Sequence, residues 1–345
     1  MVGTEYGRAK AAYGESMKLY DARWGGAHGI GRFATELRHR MSGFSSLPMD
    51  GSPSSPADPF ALFLHLKRAK PTLFFSPGFN PPVGNPCPFV FCVHDLNHLY
   101  IRENSNPLKR AYYQHIVRPA IHRARILITG SEFSKSQICE WSGANTDRVV
   151  AVGYGVSEAF VAEGPRHTEA ARPYFLCVGN QKVHKNLLRT AQAFASAYRG
   201  TDHMLLFSGS QSEAMKREIH RLDVAGQVKF FGGITDARLA ELYRGATGLV
   251  FVSLYEGFGL PIIESMACGT PVLTSTATAT PEVAGGAAIL VDPLDVEAIA
   301  DGMRRLADDE NLRGSLRELG FRRARVYSWE RTGTKVAEAL LACAT

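Results

Sequence analysis

Apolar residues along this chain fall into short runs bounded by turn residues, and the runs alternate with longer amphipathic stretches. Runs of this kind read as buried strands, and the intervening 10 to 15 residue patterns as helices. In the first half the pattern predicts strands from Met17 to Trp24, Thr72 to Phe75, Phe89 to His94 and Ile126 to Thr129, with helices from Gly31 to Met41 and Pro107 to Arg125. Gly43 to Asp50 is too broken by Gly, Ser and Pro to read as a strong strand. In the second half strands are predicted from Tyr174 to Val178, Met204 to Ser208, Val228 to Phe231, Leu249 to Val252, Val272 to Thr274 and Ala288 to Val291. Helices between them are what a parallel sheet requires. The predicted class is α/β, with one doubly wound domain in each half, at about 1–155 and 174–330. The turn-rich piece at 156–173 is the linker.

The densest chemistry lies in FVSLYEGFGLPIIESMACGTPVLT, from Phe251 to Thr274. An apolar strand end is followed by a glycine-interrupted turn, and Pro261 sits where a helix starts, because its missing N–H has no partner there anyway. The helix runs to about Ala267, and Gly269 and Pro271 stop it. Amides around Phe258 to Ile262, with the positive end of the helix dipole, form a cradle for a diphosphate that Gly257 and Gly259 let approach. Glu256 precedes the cradle and Glu264 lies in the first turn, so two carboxylates can take hydroxyls on either side. The bland alternative is a strand-to-helix turn with two solvated glutamates.

EGFGLPIIE, with seven residues between its two glutamates, and the following SMACGTPV resemble the double-glutamate motif of retaining nucleotide-sugar glycosyltransferases of family four. GIGRFATEL (Gly29 to Leu37), VHDL (Val93 to Leu96), ITGSEFSKSQI (Ile128 to Ile138), GNQKVHKNL (Gly179 to Leu187), PEVAGGAAILVDP (Pro281 to Pro293) and YSWERT (Tyr327 to Thr332) fall in that family's order. Residues 1–16 and 45–58 have no counterpart in the motif set. The resemblance implies the GT-B architecture: two Rossmann-like domains facing across a cleft, acceptor side first and nucleotide sugar second, with a C-terminal helix near 335–345 packing back on the first domain. It implies Glu256 and His94 on the transferred sugar, Glu264 on the ribose, and Lys185 on the leaving diphosphate. A second cation common in the family is replaced here by Asn180, with Lys182 and His184 nearby.

Gly29 and Gly31 admit three readings. They fit G-x-G-x-x-A of dinucleotide-binding folds, but no strong strand follows to carry the ribose carboxylate. They also fit a flexible loop, together with Gly25 and Gly26, whose amides approach the donor diphosphate, or a tight βα turn without ligand contact. His94 and Asp95 follow an apolar strand, so the histidine is placed to bond the sugar while Asp95 orients it or meets the acceptor. Catalytic candidates are therefore His94, Asp95, Lys185 and Glu256. Donor-binding candidates are Gly29, Gly31, Lys185, Glu256, Gly257, Phe258, Gly259, Leu260 and Glu264.

With 345 residues, 45% hydrophobic and 21% charged, the chain has room for two ordinary cores. No apolar run approaches the roughly 18 residues of a membrane span, and the N-terminus lacks a leader's apolar centre; the expected location is the cytoplasm, with peripheral contact on the membrane's inner face as a further expectation. Residues 1–150 hold 18 Lys and Arg against 11 Asp and Glu, and the helix from Pro107 to Arg125 carries Lys109, Arg110, Arg118, Arg123 and Arg125 with Tyr112 and Tyr113. It reads either as a membrane-surface helix with inserted aromatics or as a domain helix with an exposed basic face. The six cysteines, without C-x-x-C spacing, suit reduced core thiols. No D-x-D pair stands in a suitable context, so no metal and no cofactor are expected.

The expected reaction is transfer of mannose or rhamnose from a GDP-sugar to a hydroxyl of a glycan or lipid-linked glycan, in polysaccharide assembly such as lipopolysaccharide. A UDP-sugar is second. Nucleic acid is not an expected partner. A sugar-nucleotide epimerase, a glycosidase with paired carboxyls and a non-catalytic sugar-binding protein are the rival classes.

Overall fold

A computed structural model describes residues 17–26, 29–168 and 172–343. It divides into two compact units, residues 1–154 with 329–345, and residues 155–328. Each is built on a six-stranded, wholly parallel sheet with helices around it.

The first unit contains β1 (Lys18–Tyr20), β2 (Phe44–Ser46), β3 (Leu73–Ser76), β4 (Phe89–Cys92), β5 (Ile126–Thr129) and β6 (Val149–Ala151), in the order β2-β1-β3-β4-β5-β6. β3 and β4, LFFS and FVFC, are buried at every position. Strands covered on both faces need continuous apolar runs, which is why these read so clearly in the sequence. Phe74, Phe89, Phe91, Leu62, Leu66 and Val117 form the centre of this core.

Three expectations change here. The predicted strand from Met17 to Trp24 stops at Tyr20, because the Asp21 carboxylate caps a 3-10 turn, Ala22–Trp24, by accepting from Arg23 N–H. The broken segment from Gly43 to Asp50 does supply a strand: β2 pairs with β1 from Phe44 to Ser46, and three residues on a sheet edge require little apolar signal. The helix predicted from Pro107 to Arg125 is α-helical at Pro107–Tyr112 and Arg118–Arg123 but π-helical at Tyr113–Val117. Pro119, which cannot donate a helical N–H, follows directly.

The second unit contains β7 (Tyr174–Val178), β8 (Met204–Ser208), β9 (Val228–Phe230), β10 (Gly248–Phe251), β11 (Val272–Ser275) and β12 (Ile289–Val291), in the order β12-β11-β10-β7-β8-β9. This order runs outward in both directions from the neighbours β7 and β10, which are paired through Gly248 with Phe175 and Leu249 with Leu176. Ligands of open parallel sheets bind beyond the carboxyl ends of the two strands where the order reverses. Here those are β7 and β10. The core packs Phe175, Phe194, Phe207, Leu205, Met303 and Leu306 across the sheet.

The C-terminal helix, Trp329–Leu341, belongs to the first unit, where Trp329 stacks on Tyr154 and Thr332 Oγ1 donates to the Gly153 carbonyl at 3.0 Å. No helix among the described residues is long and apolar enough to cross a membrane. The described cysteines are free thiols, Cys92, Cys177 and Cys268 among them buried.

Candidate functional site

Lys185 and Glu256 stand 71 positions apart and meet because the chain leaves β7 and β10 side by side. Lys185 Nζ lies 2.7 Å from Glu256 Oε1, with the side chains 17% and 11% exposed. The ammonium also sits 5.5 Å from the centre of the Phe251 ring. Asn186 locks this loop: it takes a left-handed φ of 60°, which asparagine tolerates, and its Nδ2 donates to Val252 O at 3.0 Å and Pro293 O at 2.6 Å. The His184 carbonyl accepts from Leu254 N–H at 2.7 Å. On the other side, Glu256 N–H donates to Thr278 Oγ1 at 3.0 Å, which brings the loop after β11 into the same cluster. Lys182 and Asn180 are exposed on the same loop as Lys185.

After Glu256 the turn closes on Gly259, whose φ of 108° suits only glycine, and the helix runs Leu260–Ala267. Phe258 anchors the turn edge-on to Tyr327 at 5.3 Å. The amide cradle is narrower than expected. Pro261 has no N–H, and Ile262 N–H donates to the Gly259 carbonyl at 3.0 Å. No described residue accepts from Gly259 or Leu260 N–H, so these two amides are the open donors at the positive end of the helix. Glu264 lies in the second turn rather than the first, since the helix starts at Leu260. It is 3% exposed, and its Oε2 accepts from the Tyr243 hydroxyl at 3.2 Å.

In the first unit His94 follows β4. Its Nε2 lies 2.8 Å from the Pro77 carbonyl, which can only accept, so Nε2 carries the proton. Its Nδ1 lies 2.5 Å from the Tyr154 hydroxyl. Burial pushes the Tyr154 phenol well above its usual range, so it stays protonated and donates to Nδ1. Phe33 meets the imidazole edge-on at 5.1 Å. Both ring nitrogens are engaged, and a hydroxyl approaching Nδ1 has to share it with Tyr154. The Asp95 carboxylate accepts from Asn97 N–H at 2.8 Å, closing the turn after the strand.

Gly29 and Gly31 are not in a loop; both belong to the helix Gly29–Arg38. A Cβ at Gly31 would lie 2.3 Å from the Gly26 carbonyl oxygen, so glycine is required there by the close approach of two backbone segments. Ala27 and His28, between them, lie outside the described residues.

Sequence reasoning passed over Asn186, Tyr243, Thr278 and Tyr154, which hold the candidates in place. For Asn186, Thr278 and Tyr154 the signal is topological, since each follows the carboxyl end of a strand; Tyr243 sits near the end of the helix Asp236–Gly245, before β10, and reaches Glu264 only through its hydroxyl. Sequence reasoning also passed over Arg23, which bridges Asp21 at 2.8 Å and Asp58 at 2.7 Å beyond β1, next to β3. No group of three or more His, Cys, Asp or Glu among the described residues is placed to hold a metal ion.

Residues 16–160 match the profile described as Glycosyltransferase Family 4, and residues 165–323 match Glycosyl transferases group 1. The chain belongs to glycosyltransferase family 4. The transferase is 29% identical over 264 residues to an O-antigen chain mannosyltransferase B of Escherichia coli, covering 72% of this chain and 69% of that one. Among solved structures, sucrose-phosphate synthase of Thermosynechococcus elongatus superposes with a TM-score of 0.75 at 18% identity, over 95% of this chain and 98% of its own. WaaG, a glycosyltransferase involved in lipopolysaccharide biosynthesis, gives 0.74 at 16% identity, over 93% and 98%. The two glutamates, the lysine and the open amides of the transferase thus lie on a fold shared with known glycosyltransferases.

Proposed function

We propose that this transferase moves a mannosyl or rhamnosyl residue from a GDP-sugar to a hydroxyl of a lipid-linked glycan, with retention at the anomeric carbon. The observation that carries the reading is the contact of Lys185 with Glu256 at the reversal point of the second sheet, beside the open amides of Gly259 and Leu260. A cation and helix-start amides at one point suit a departing diphosphate. Lys185 rests on Glu256 and turns to the phosphates when the donor enters. Glu256 then accepts from the sugar's hydroxyls, and buried Glu264, held by Tyr243, accepts from the ribose. His94 contributes through Nδ1, with Tyr154 as the group it exchanges for a sugar hydroxyl. The acceptor proton passes to the donor's own phosphate, and no metal takes part.

Mannose as the sugar and a polysaccharide chain as the acceptor are supported by similarity to the E. coli O-antigen chain mannosyltransferase. Contact with the membrane is electrostatic in this proposal, through exposed Lys109 and Arg110 with Leu108, which is 81% exposed. Aromatic insertion is not part of it: Tyr113 is buried, and the Tyr112 hydroxyl donates to Asn80 Oδ1 at 2.5 Å.

Thermal shifts against GDP-mannose, GDP-rhamnose, UDP-glucose and the bare nucleotides test the donor, since a ligand bound to the folded state raises its stability by mass action. The expected result is a larger shift with a GDP-sugar than with UDP-glucose, and the reverse order refutes the base assignment. NMR of the product separates retention from inversion at the transferred carbon.

A further inference from the structure

The amino ends of β7, β10 and β11 border a cavity of about 470 Å³ in the second unit, lined there by Pro173, Thr247 and Pro271. Parallel strands of four or five residues put it roughly 15 Å from the loops that carry Lys185 and Glu256, on the opposite edge of the sheet. Four guanidinium groups line it, those of Arg166, Arg244, Arg313 and Arg317, with His203 alongside and Glu310 as the one carboxylate.

The arginines are held by neutral partners. Arg244 donates from Nε to Pro165 O at 2.8 Å and from Nη1 to Val161 O at 3.1 Å. Arg313 Nη1 donates to the carbonyls of Leu306 at 2.8 Å and Ala307 at 2.6 Å, at the end of a helix. Arg317 lies over the Phe321 ring at 5.5 Å and against Gly269, where a Cβ would come within 3.0 Å of its Nε. Arg166 and Arg317 are exposed at the rim, and Arg244 and Arg313 are half-buried behind them. None of the four pairs with a carboxylate among the described residues. Four like charges brought to one concave surface repel one another unless an anion sits among them, and forked guanidinium donors fit phosphate oxygens in pairs.

We propose that this cavity is a second anion site, distinct from the sugar-nucleotide face, for a small molecule bearing a phosphate dianion, either a phosphomonoester or a diphosphate. The cavity falls in the size range of small-ligand sites and has room for a sugar attached to the phosphate. The two half-buried arginines fix the phosphate, and the two at the rim set its affinity for more highly charged species.

The test is calorimetric titration of the full chain with inorganic pyrophosphate and, separately, inorganic phosphate at constant ionic strength, because surface attraction alone is screened. Three proteins are compared: wild type, Lys185→Ala, and Arg166→Gln with Arg317→Gln. The last pair makes no backbone bonds that hold the fold, and a single Arg166→Gln variant serves should the double one unfold. Pyrophosphate should still bind to Lys185→Ala, and its affinity at the same site should fall at least about tenfold in the arginine variants, the loss of one or two charge-assisted contacts. Binding of phosphate with the same pattern marks a phosphomonoester site, and binding of pyrophosphate alone a diphosphate site. The proposal fails if Lys185→Ala abolishes all binding, or if the arginine variants titrate like wild type.

Discussion

Replacing Lys185 with alanine removes the cation from a carboxylate that is only 11% exposed. At 2.7 Å the gross attraction of the pair is about 6 kcal/mol for an effective dielectric near 20, and the desolvation of both ions offsets most of it. Removing one partner of a buried pair costs about 3–5 kcal/mol; with both groups still touching solvent the lower end applies, so Lys185→Ala should lose about 3 kcal/mol of folding stability. Removing Glu256 as well should return much of that loss, because the stranded charge goes with it. Catalysis should not return. If Lys185 stabilises the departing diphosphate, turnover at saturating donor should fall by roughly 10² to 10³ in Lys185→Ala. Urea unfolding of the wild type, both single variants and the double variant gives the coupling energy, and initial rates at saturating donor give the turnover. A folded Lys185→Ala enzyme with wild-type turnover refutes the role in leaving-group departure, and additive stability losses refute the ion pair itself.

Glu264→Ala should weaken binding of the bare nucleoside diphosphate, whereas Glu256→Ala should leave it nearly intact and impair transfer; equal losses by calorimetry would reject the division of roles. Gly31→Ala should destabilise the first unit by about 2–3 kcal/mol in urea, since the added methyl meets the Gly26 backbone and outweighs the gain in helix propensity; a stabilised variant would contradict that close approach. Burial pushes the thiols of Cys87 and Cys268 from 9.0 up to about 12, so both stay protonated in the folded chain at pH 8 and should resist iodoacetamide until it unfolds. These raised values contribute stability that is complete below pH 9 and is lost as pH climbs from about 9 toward 12, which thermal melts across that range should register. Vesicles rich in anionic lipid should sediment the protein at low salt and release it at high salt, and equal failure on anionic and neutral vesicles would remove the membrane contact.

The parallel strands were legible because burial on both faces demands uninterrupted apolar runs: YFLCV, MLLFS and ILIT appear in the structure at the predicted bounds. β2 was hidden because FSS on a sheet edge needs no apolar signal. Lys185, Glu256 and Glu264 could be singled out from local spacing, yet only sheet order explains why the first two touch. Asn186 and Tyr243 carry no motif of their own. Asn186 acts through a left-handed backbone and two carbonyls distant in sequence, and Tyr243 through a hydroxyl aimed at a residue 21 positions away. Gly31 adds a requirement that its motif did not disclose, since the close approach of the Gly26 backbone demands glycine there whatever the pair contacts.

The π-helical stretch Tyr113–Val117 makes the direction of the preceding side chains a matter of counting. Shortening it by one residue, at exposed Gln114 for instance, returns ordinary helical spacing and swings Pro107–Tyr112 by about 100° around the axis relative to Arg118–Arg123. Tyr112 would then no longer point at Asn80, whose Nδ2 holds the carbonyls of Pro53 and Ser55. Composition stays almost unchanged in such a variant, as do the exposed charges Lys109 and Arg110. What changes is the phase of the helix, so insertions and deletions within these five residues choose which surface the basic side chains occupy and whether the 53–55 loop keeps its tether, without altering a single residue of either.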